Sequence, residues 1–395
     1  MSNLTDNEIR DLVSDTSTTV EAPPVQSPES NKIRGLLLVG CGDGGCNIAM
    51  EIASAVPEAM TIAYNTSSQT VSKLRANWKI FPAGEDGSGK AREYSQELFK
   101  SGPYKHMLKA VQAASKEMTD LSYIVVTTTC DGGTGGGVSP MVAKFLKDNT
   151  HLPVILVGVY PTLNEDAIAQ YNAMCWQKDV EKSGIPYMVF DNGAVANLPV
   201  ADAHDLVNRE VADTMRVIAG NDFGSSTIAQ IDSRDILMLL NRIGGRISIV
   251  NSTKRPSVDF TLDEHITTLV KNATCVQPSN VTGIGLFVKA PAEYLKRVAT
   301  HLQDFTATYG LPNARYTHLE EGDEIRVAII CSGCSEPSER VRQMRRRYDD
   351  IQEARVSVKS AVADALSGIS SPLGGVDTPG KMLDPGQPDL SAFEL

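Results

Sequence analysis

Aromatic residues make up only 6% of this 395-residue chain, with 2 tryptophans, so a groove paved with aromatic rings is excluded. No stretch approaches about 18 consecutive apolar residues, which excludes a membrane-spanning helix. Basic residues are in deficit, Lys+Arg 37 against Asp+Glu 48 for a net charge of −11, which argues against a surface that binds nucleic acid throughout. One local basic patch stays compatible with that balance. The 7 cysteines are scattered, and the single pair Cys331-Ser-Gly-Cys334 has no second pair or His motif beside it, so it is structural. The start, MSNLTDNEIRDLVSD, lacks the basic and apolar regions of a signal peptide, and a reduced, cytoplasmic setting is expected. Hydrophobic residues at 42% and charged residues at 22% are ordinary globular values. The length suits two domains with a sizeable core and no disulfide or metal staple. Glycine, at 31 residues, is the component in good supply.

Residues 1–31, rich in Ser, Thr, Pro and acid, predict a disordered tail. Order is expected from Ile33, where IRGLLLVG reads as a buried strand, followed by the helix NIAMEIASAV. The strands MTIAYN, YIVVTTT, PVILVGVYP and PYMVFDN follow, separated by helical stretches at Lys105–Thr119, from Val138, and after Pro161. Strands alternating with helices at this spacing predict an α/β fold with a parallel, doubly wound sheet over 32–200. Such sheets bind ligands beyond the carboxyl ends of their strands, where every Gly-rich loop of this chain falls. A central helix Ala201–Ala219 and a polar turn complete 201–235. A second, smaller α/β domain covers 236–334, with strands near Gly283–Lys289 and Glu324–Cys331. A long helix lies within 335–367, its apolar positions Val341, Met344, Tyr348, Ile351, Val358 and Val362 recurring at threes and fours. The Gly/Pro-rich 368–395 is expected to be a flexible tail.

Two glycine clusters join strands to helices. Gly40-Cys41-Gly42-Asp43-Gly44-Gly45-Cys46-Asn47 permits a tight turn and lets backbone amides approach an anion at the start of a helix. Its GxGxxG spacing alone is weak, and the second strand ends in Asn65 where a dinucleotide site needs an acid for the ribose, which counts against NAD. Asp131-Gly132-Gly133-Thr134-Gly135-Gly136-Gly137 has five glycines in seven residues. A turn needs one or two, whereas a row of amides around a phosphate needs several, with Thr134 adding a hydroxyl. The alternatives are a ligand-free turn and a hinge. A third loop, Gly84-Glu85-Asp86-Gly87-Ser88-Gly89-Lys90-Ala91, nearly spells a Walker A sequence but has Ala91 where a hydroxyl should meet Mg²⁺.

Strand–GCGDGGCN–helix followed by strand–GGTGGG–VSP–helix resembles the tubulin/FtsZ superfamily of polymerising GTPases, in order through about residue 240. It departs at Asp131 and Gly136. The resemblance implies GTP/GDP with Mg²⁺ as ligands and head-to-tail filaments of the chain with itself. It implies phosphate contacts from Gly42, Asp43, Gly44, Gly45 and Asn47, and a cradle of Gly132, Gly133, Thr134, Gly135, Gly136 and Gly137. Asn65 and Thr66 match the family's short loop after the second strand, and the loop Gly84–Arg92, with Lys90, falls where the γ-phosphate is sensed. Glu165 matches a ribose contact, with Ala169 where an Arg is usual. Asn192 and Asn208 match guanine contacts, and His204 a stacking position. Gln230-Ile231-Asp232-Ser233-Arg234-Asp235 resembles the family's NxDxxD loop with Gln230 in place of Asn. The resemblance implies that Gln230, Asp232 and Asp235 position the attacking water for the next subunit's nucleotide. The plain alternative for Asp232 is a helix N-cap.

Departures from division-type loops, the long last helix and its arginines suggest the TubZ-like plasmid or phage branch, moving DNA through a DNA-binding adaptor held by the C-terminal helix or tail. A division-ring GTPase and a nucleotide-binding scaffold without hydrolysis are the alternatives. Arg340, Arg342, Arg345, Arg346 and Arg347 form a basic cluster in an acidic chain, as a solvated face or a contact to a partner. The ending DPGQPDLSAFEL suits a docking peptide. The residues do not name a metal ligand set.

Overall fold

The computed structural model describes residues 35–195, 200–219, 233–242, 245–257, 260–272, 281–296, 315–335 and 337–367. The expected tails at 1–31 and 368–395 lie outside these residues, as do Gln230 and Asp232. The chain divides into two compact units, Met1–Tyr348 and Asp349–Leu395. The described part of the second is the continuation of the last helix.

The first unit is built as β1 (Leu36–Cys41), α1 (Gly42–Ala55), β2 (Met60–Tyr64), α2 (Ser68–Ser72), β3 (Trp78–Ile80), α3 (Arg92–Ser101), α4 (Pro103–Glu117), β4 (Tyr123–Thr129), α5 (Gly133–Asn149), β5 (Val154–Tyr160), α6 (Ala167–Ser183) and β6 (Tyr187–Asp191). A 3-10 turn at Asn192–Val195 follows, then α7 (Val200–Ile218), α8 (Ser233–Leu237), a π turn at Met238–Arg242, β7 (Arg246–Lys254), α9 (Leu262–Asn272), β8 (Gly283–Ala290), β9 (Arg315–Glu321), β10 (Ile325–Cys334) and α10 (Ser338–Ser367). The ten strands of the described residues form one sheet, in the order β3-β2-β1-β4-β5-β6-β7-β10-β8-β9.

From β3 to β6 every pairing is parallel, as the strand–helix alternation predicts. Apolar residues fill β1 because the sheet is covered on both faces. Leu36 and Leu38 enter one core with Ile48 and Ile52 of α1 and Val207, Val211 and Met215 of α7, and Leu37 and Val39, also fully buried, alternate with them along the strand. Each such side chain contributes about 1.5–3 kcal/mol on burial.

The β7–β9 half has its own core, including Leu262, Ile266, Leu286, Val288, Ile325 and Val327. β10 pairs antiparallel with β7 and β8, and β8 pairs parallel with β9. In the sheet the two halves join at β6 and β7 through the pairs Tyr187↔Arg246 and Met188↔Ile247, and Ile247, Phe287, Ala328 and Ile330 also enter the core of the first half.

Three strands escaped the sequence. β3 is three residues at the edge, β7 is half exposed beyond Ser248, and β9 reads RYTHLEE. The helix starts differ as well: α1 begins at Gly42 rather than Asn47, and α5 at Gly133 rather than Val138.

Candidate functional site

β1 and β4 are neighbours, with Gly40 opposite Thr127 and Cys41 opposite Thr128. β1 runs straight into α1 and β4 reaches α5 through the turn Cys130–Gly132, so the N-termini of α1 and α5 lie side by side. A Cβ placed on Gly42 would come within 2.8 Å of the Gly135 amide nitrogen. Gly42 itself has φ 73°, a left-handed conformation that glycine enters without strain. Neither helix start receives a side-chain cap. The first-turn N–H groups of a helix have no acceptor within it, and aligned peptide dipoles add positive potential there. Two such starts meeting at one point form a seat for a polyanion.

The second glycine cluster is therefore the first turns of a helix and not a loop, and it costs helical propensity for a steric reason. A Cβ on Gly136 would lie 2.2 Å from the Cys130 carbonyl oxygen, and one on Gly135 would lie 2.5 Å from Thr128 Oγ1. At Gly133 it would meet the backbone of Lys90 at 2.5 Å, and at Gly137 the Arg92 carbonyl oxygen at 2.9 Å. Gly44 and Gly45 are likewise crowded, by Thr129 and by the Thr127 carbonyl. Gly132 alone in the cluster has open space, its nearest neighbour 3.9 Å away.

Other loops close on this point. Thr66, fully buried, shares a 2.7 Å hydrogen bond with the Thr134 hydroxyl, and Ser88 Oγ lies 3.2 Å from the same oxygen. Asn65 Nδ2 donates to Asp43 Oδ1 at 2.5 Å, tying the loop after β2 to the first turn of α1. Lys90, in a left-handed conformation at φ 66°, directs Nζ to Asp166 Oδ2 at 2.9 Å across an exposed gap. Asp166 caps α6 by accepting from the Ala169 amide at 2.8 Å. The near-Walker loop follows the edge strand β3, whereas a P-loop follows a central strand.

Two residues that the sequence did not single out hold these loops. Asn172 of α6 donates to the carbonyls of Lys90, at 3.1 Å, and Asp131, at 2.9 Å. Arg92, 3% exposed, donates to the carbonyls of Gly136 and Asn172 and to Asp179 Oδ2. A buried Arg is visible only once the fold gives it partners, because its position in the sequence looks like an ordinary polar helix start.

On the β5–β6 side, Glu165 accepts from the Thr162 amide at 2.8 Å. Burial raises its carboxyl above the usual range, helped by the charge of Asp131 and opposed by His204 and Lys90. Asn192 is 6% exposed, and its Oδ1 is buried with no hydrogen-bond partner. His204, exposed, and Asn208, half-buried, sit four apart on the first turns of α7. Asn47 is exposed on α1. Asp235 is half-exposed in the first turn of α8.

The thiols offer no nucleophile here. Burial pushes Cys41, Cys46 and Cys130 above their ordinary range. No group of three His, Cys, Asp or Glu side chains able to hold a metal ion occurs among the described residues. No helix among them is long and apolar enough to cross a membrane. The arginine cluster is not an open basic face: Arg340 and Arg347 turn inward onto Asp191, Pro161 and Leu163, and Arg342 pairs with Glu339.

Residues 35–199 match the profile of the Tubulin/FtsZ family, GTPase domain. The chain is 26% identical over 388 residues to the tubulin-like protein CetZ5 of Haloferax volcanii, covering 84% of this chain and 96% of that one. Its fold is similar to that of CetZ2 from Haloferax volcanii, solved as a GTPγS-bound protofilament, with TM-score 0.64 at 18% identity over 81% of this chain and 99% of the other. It is also similar to TubZ of Bacillus thuringiensis serovar israelensis in a GTPγS-form protofilament, with TM-score 0.68 at 14% identity over 84% and 96% of the two chains.

Proposed function

Taking residues 35–199 as a tubulin/FtsZ-family GTPase domain, we propose that the chain is a cytoskeletal GTPase whose copies stack head to tail, each completing the hydrolytic site of its neighbour. The observation that carries this is the meeting of two uncapped helix N-termini at Gly42 and Gly135. Amides of Gly42, Asp43, Gly44, Gly133, Thr134 and Gly135 hold the phosphates, with the hydroxyls of Thr66, Thr134 and Ser88 beside them. Glu165 takes the ribose, and Asn192, His204 and Asn208 take the base. A buried acceptor without a donor is costly unless the ligand supplies one. The Asn192 oxygen has that need, and guanine presents N–H donors at N1 and N2 where adenine presents an acceptor.

Mg²⁺ carried in on the triphosphate supplies charge neutralisation. Asp43, the acid in the first turn of α1, would be the chain's own ligand for such an ion, completed by phosphate oxygens and water. The helix amides then stabilise charge that develops on the γ-phosphate as water attacks in line.

The acids come from elsewhere. α7 starts close to the 3-10 turn after β6 and, with 19 residues at about 1.5 Å each, ends roughly 28 Å away. Arg246, at the far end of the acid-bearing segment, pairs with Tyr187, the first residue of β6. Arg246, eleven residues after Asp235, thus lies at the amino end of β6, the end of the parallel strands opposite the phosphate seat. Acids there serve a nucleotide on the next copy, where carboxylates orient the attacking water.

The DNA-moving role through an adaptor has less support than the chemistry, since two of the arginines that suggested it are engaged internally. A division role is the other cargo for the same machine. A scaffold that binds without hydrolysis is favoured by one feature, Gln230 in the place of Asn. Phosphate release measured against protein concentration separates these. A self-completing filament shows a threshold concentration, whereas release strictly proportional to protein overturns assembly-dependent hydrolysis. Asp235→Ala is expected to keep GTP binding, lose at least about 100-fold in turnover and leave filaments that persist in light scattering. Lost GTP binding in that variant overturns the role given to Asp235.

A further inference from the structure

We propose that α10 belongs to the nucleotide site, with Arg340 as a positioning residue that fixes the base and ribose loops and so sets guanine selectivity; this rests on the GTP site proposed above. The Arg340 side chain is 13% exposed. Its Nε donates to Asp191 Oδ2 at 2.6 Å and its Nη2 to Asp191 Oδ1 at 3.0 Å, a two-point grip on the last residue of β6. The same Nη2 donates to the Pro161 carbonyl at 2.5 Å. Seven residues along the same helix face, Arg347 Nε donates to the Leu163 carbonyl at 2.8 Å.

These contacts fall on the last residue of β6 and on the loop after β5. Pro161 and Leu163 flank Thr162, whose amide holds Glu165. Asp191 precedes Asn192 directly, and its Oδ1 also accepts from the Gly193 amide at 2.8 Å. Asp191 therefore fixes the turn that presents the Asn192 carboxamide, and Arg340 fixes Asp191. The pair sits close against this turn: a Cβ on Gly193 would stand 2.9 Å from Asp191 Oδ1 and 3.2 Å from Arg340 Nη2. A planar guanidinium can bridge a carboxylate and a carbonyl at once, which a lysine ammonium on one flexible stem cannot match.

The helix does not depend on Arg340 to stay in place. Met344 is fully buried and Tyr348 is 6% exposed, its ring 6.0 Å from that of Tyr171 on α6. Removing the guanidinium frees the two loops and leaves α10 docked. The phosphate seat, formed by α1 and α5, is untouched. The loss is thus expected in base recognition rather than in phosphate binding.

The test titrates GTP and ITP, which lacks the 2-amino group, into the full chain and its variants. Arg340→Ala is expected to weaken GTP binding at least tenfold and to shrink the GTP-over-ITP preference at least threefold. Arg340→Lys should recover part of the affinity. Arg342→Ala removes the same charge from an exposed position of the same helix and should match the parent. Should Arg340→Ala fail to fold, Asp191→Asn reads the same grip with its shape kept. Equal losses for GTP and ITP, unchanged binding, or an equal effect of Arg342→Ala each overturn the proposal. Failure of the parent chain to bind GTP at all would instead overturn the site on which it rests.

Discussion

Gly136→Ala and Gly132→Ala should have opposite consequences, although both glycines belong to one cluster. At Gly136 the new methyl would sit 2.2 Å from the Cys130 carbonyl oxygen and 3.0 Å from its carbon. A backbone carbonyl at the end of β4 cannot rotate aside as a side chain would. Overpacking of this kind costs about 1–3 kcal/mol, and the upper end applies. Alanine's better helical propensity returns about 1 kcal/mol. The net is about 2 kcal/mol, a factor of about 30 in the folded-to-unfolded ratio. For a unit as long as Met1–Tyr348 this lowers the melting midpoint by roughly 3 °C. Gly132 has φ −78° and ψ 154°, a conformation open to alanine, and its nearest neighbour is 3.9 Å away. Gly132→Ala should leave the nucleotide-free midpoint unchanged and weaken GTP binding, because its open surroundings are the space that the phosphates use. Thermal unfolding without nucleotide and a fluorescent-GTP titration measure the two effects. If Gly136→Ala melts with the parent, or Gly132→Ala loses as much stability, close packing is not why these glycines are there.

Arg92→Ala strands the Gly136 and Asn172 carbonyls and the half-solvated Asp179 carboxylate, and should cost about 3 kcal/mol in urea unfolding. Thr134→Val keeps the shape but leaves buried Thr66 Oγ1 without its partner, and should cost about 1–2 kcal/mol and weaken GTP binding. Glu165 carries a carboxyl raised by burial, so its favourable share is intact below the unfolded pKa and is lost as pH rises through the folded one. The melting point of the parent relative to Glu165→Gln should therefore fall across that window, and a flat difference would refute it.

How far the sequence could be read depended on how each element is stabilised. β1 and β5 are buried on both faces and show as apolar runs, as does the YIVV half of β4. β9, at the sheet edge with a polar sequence, is held by its pairing with β8 and gives no such run. The starts of α1 and α5 were legible as glycine clusters but not as helix, because propensity assigns glycine to turns while the cause here is approach to the carbonyls of Thr127 and Cys130. Glu165 and Asn192 could be picked out by their places after β5 and β6. Arg92 could not, and Arg340 shows only as one of a basic cluster, since their partners lie 44 to 179 positions away in sequence.

The grip of Arg340 on Asp191 spans 149 positions. A ribosome adding about 5–20 residues per second needs roughly 7–30 s to make that stretch. Throughout that interval a nascent chain has both glycine-rich helix starts, yet lacks the helix that steadies the loops beside them. Early fragments would then take up nucleoside triphosphates with little regard for the base, and discrimination would arrive only as synthesis nears completion.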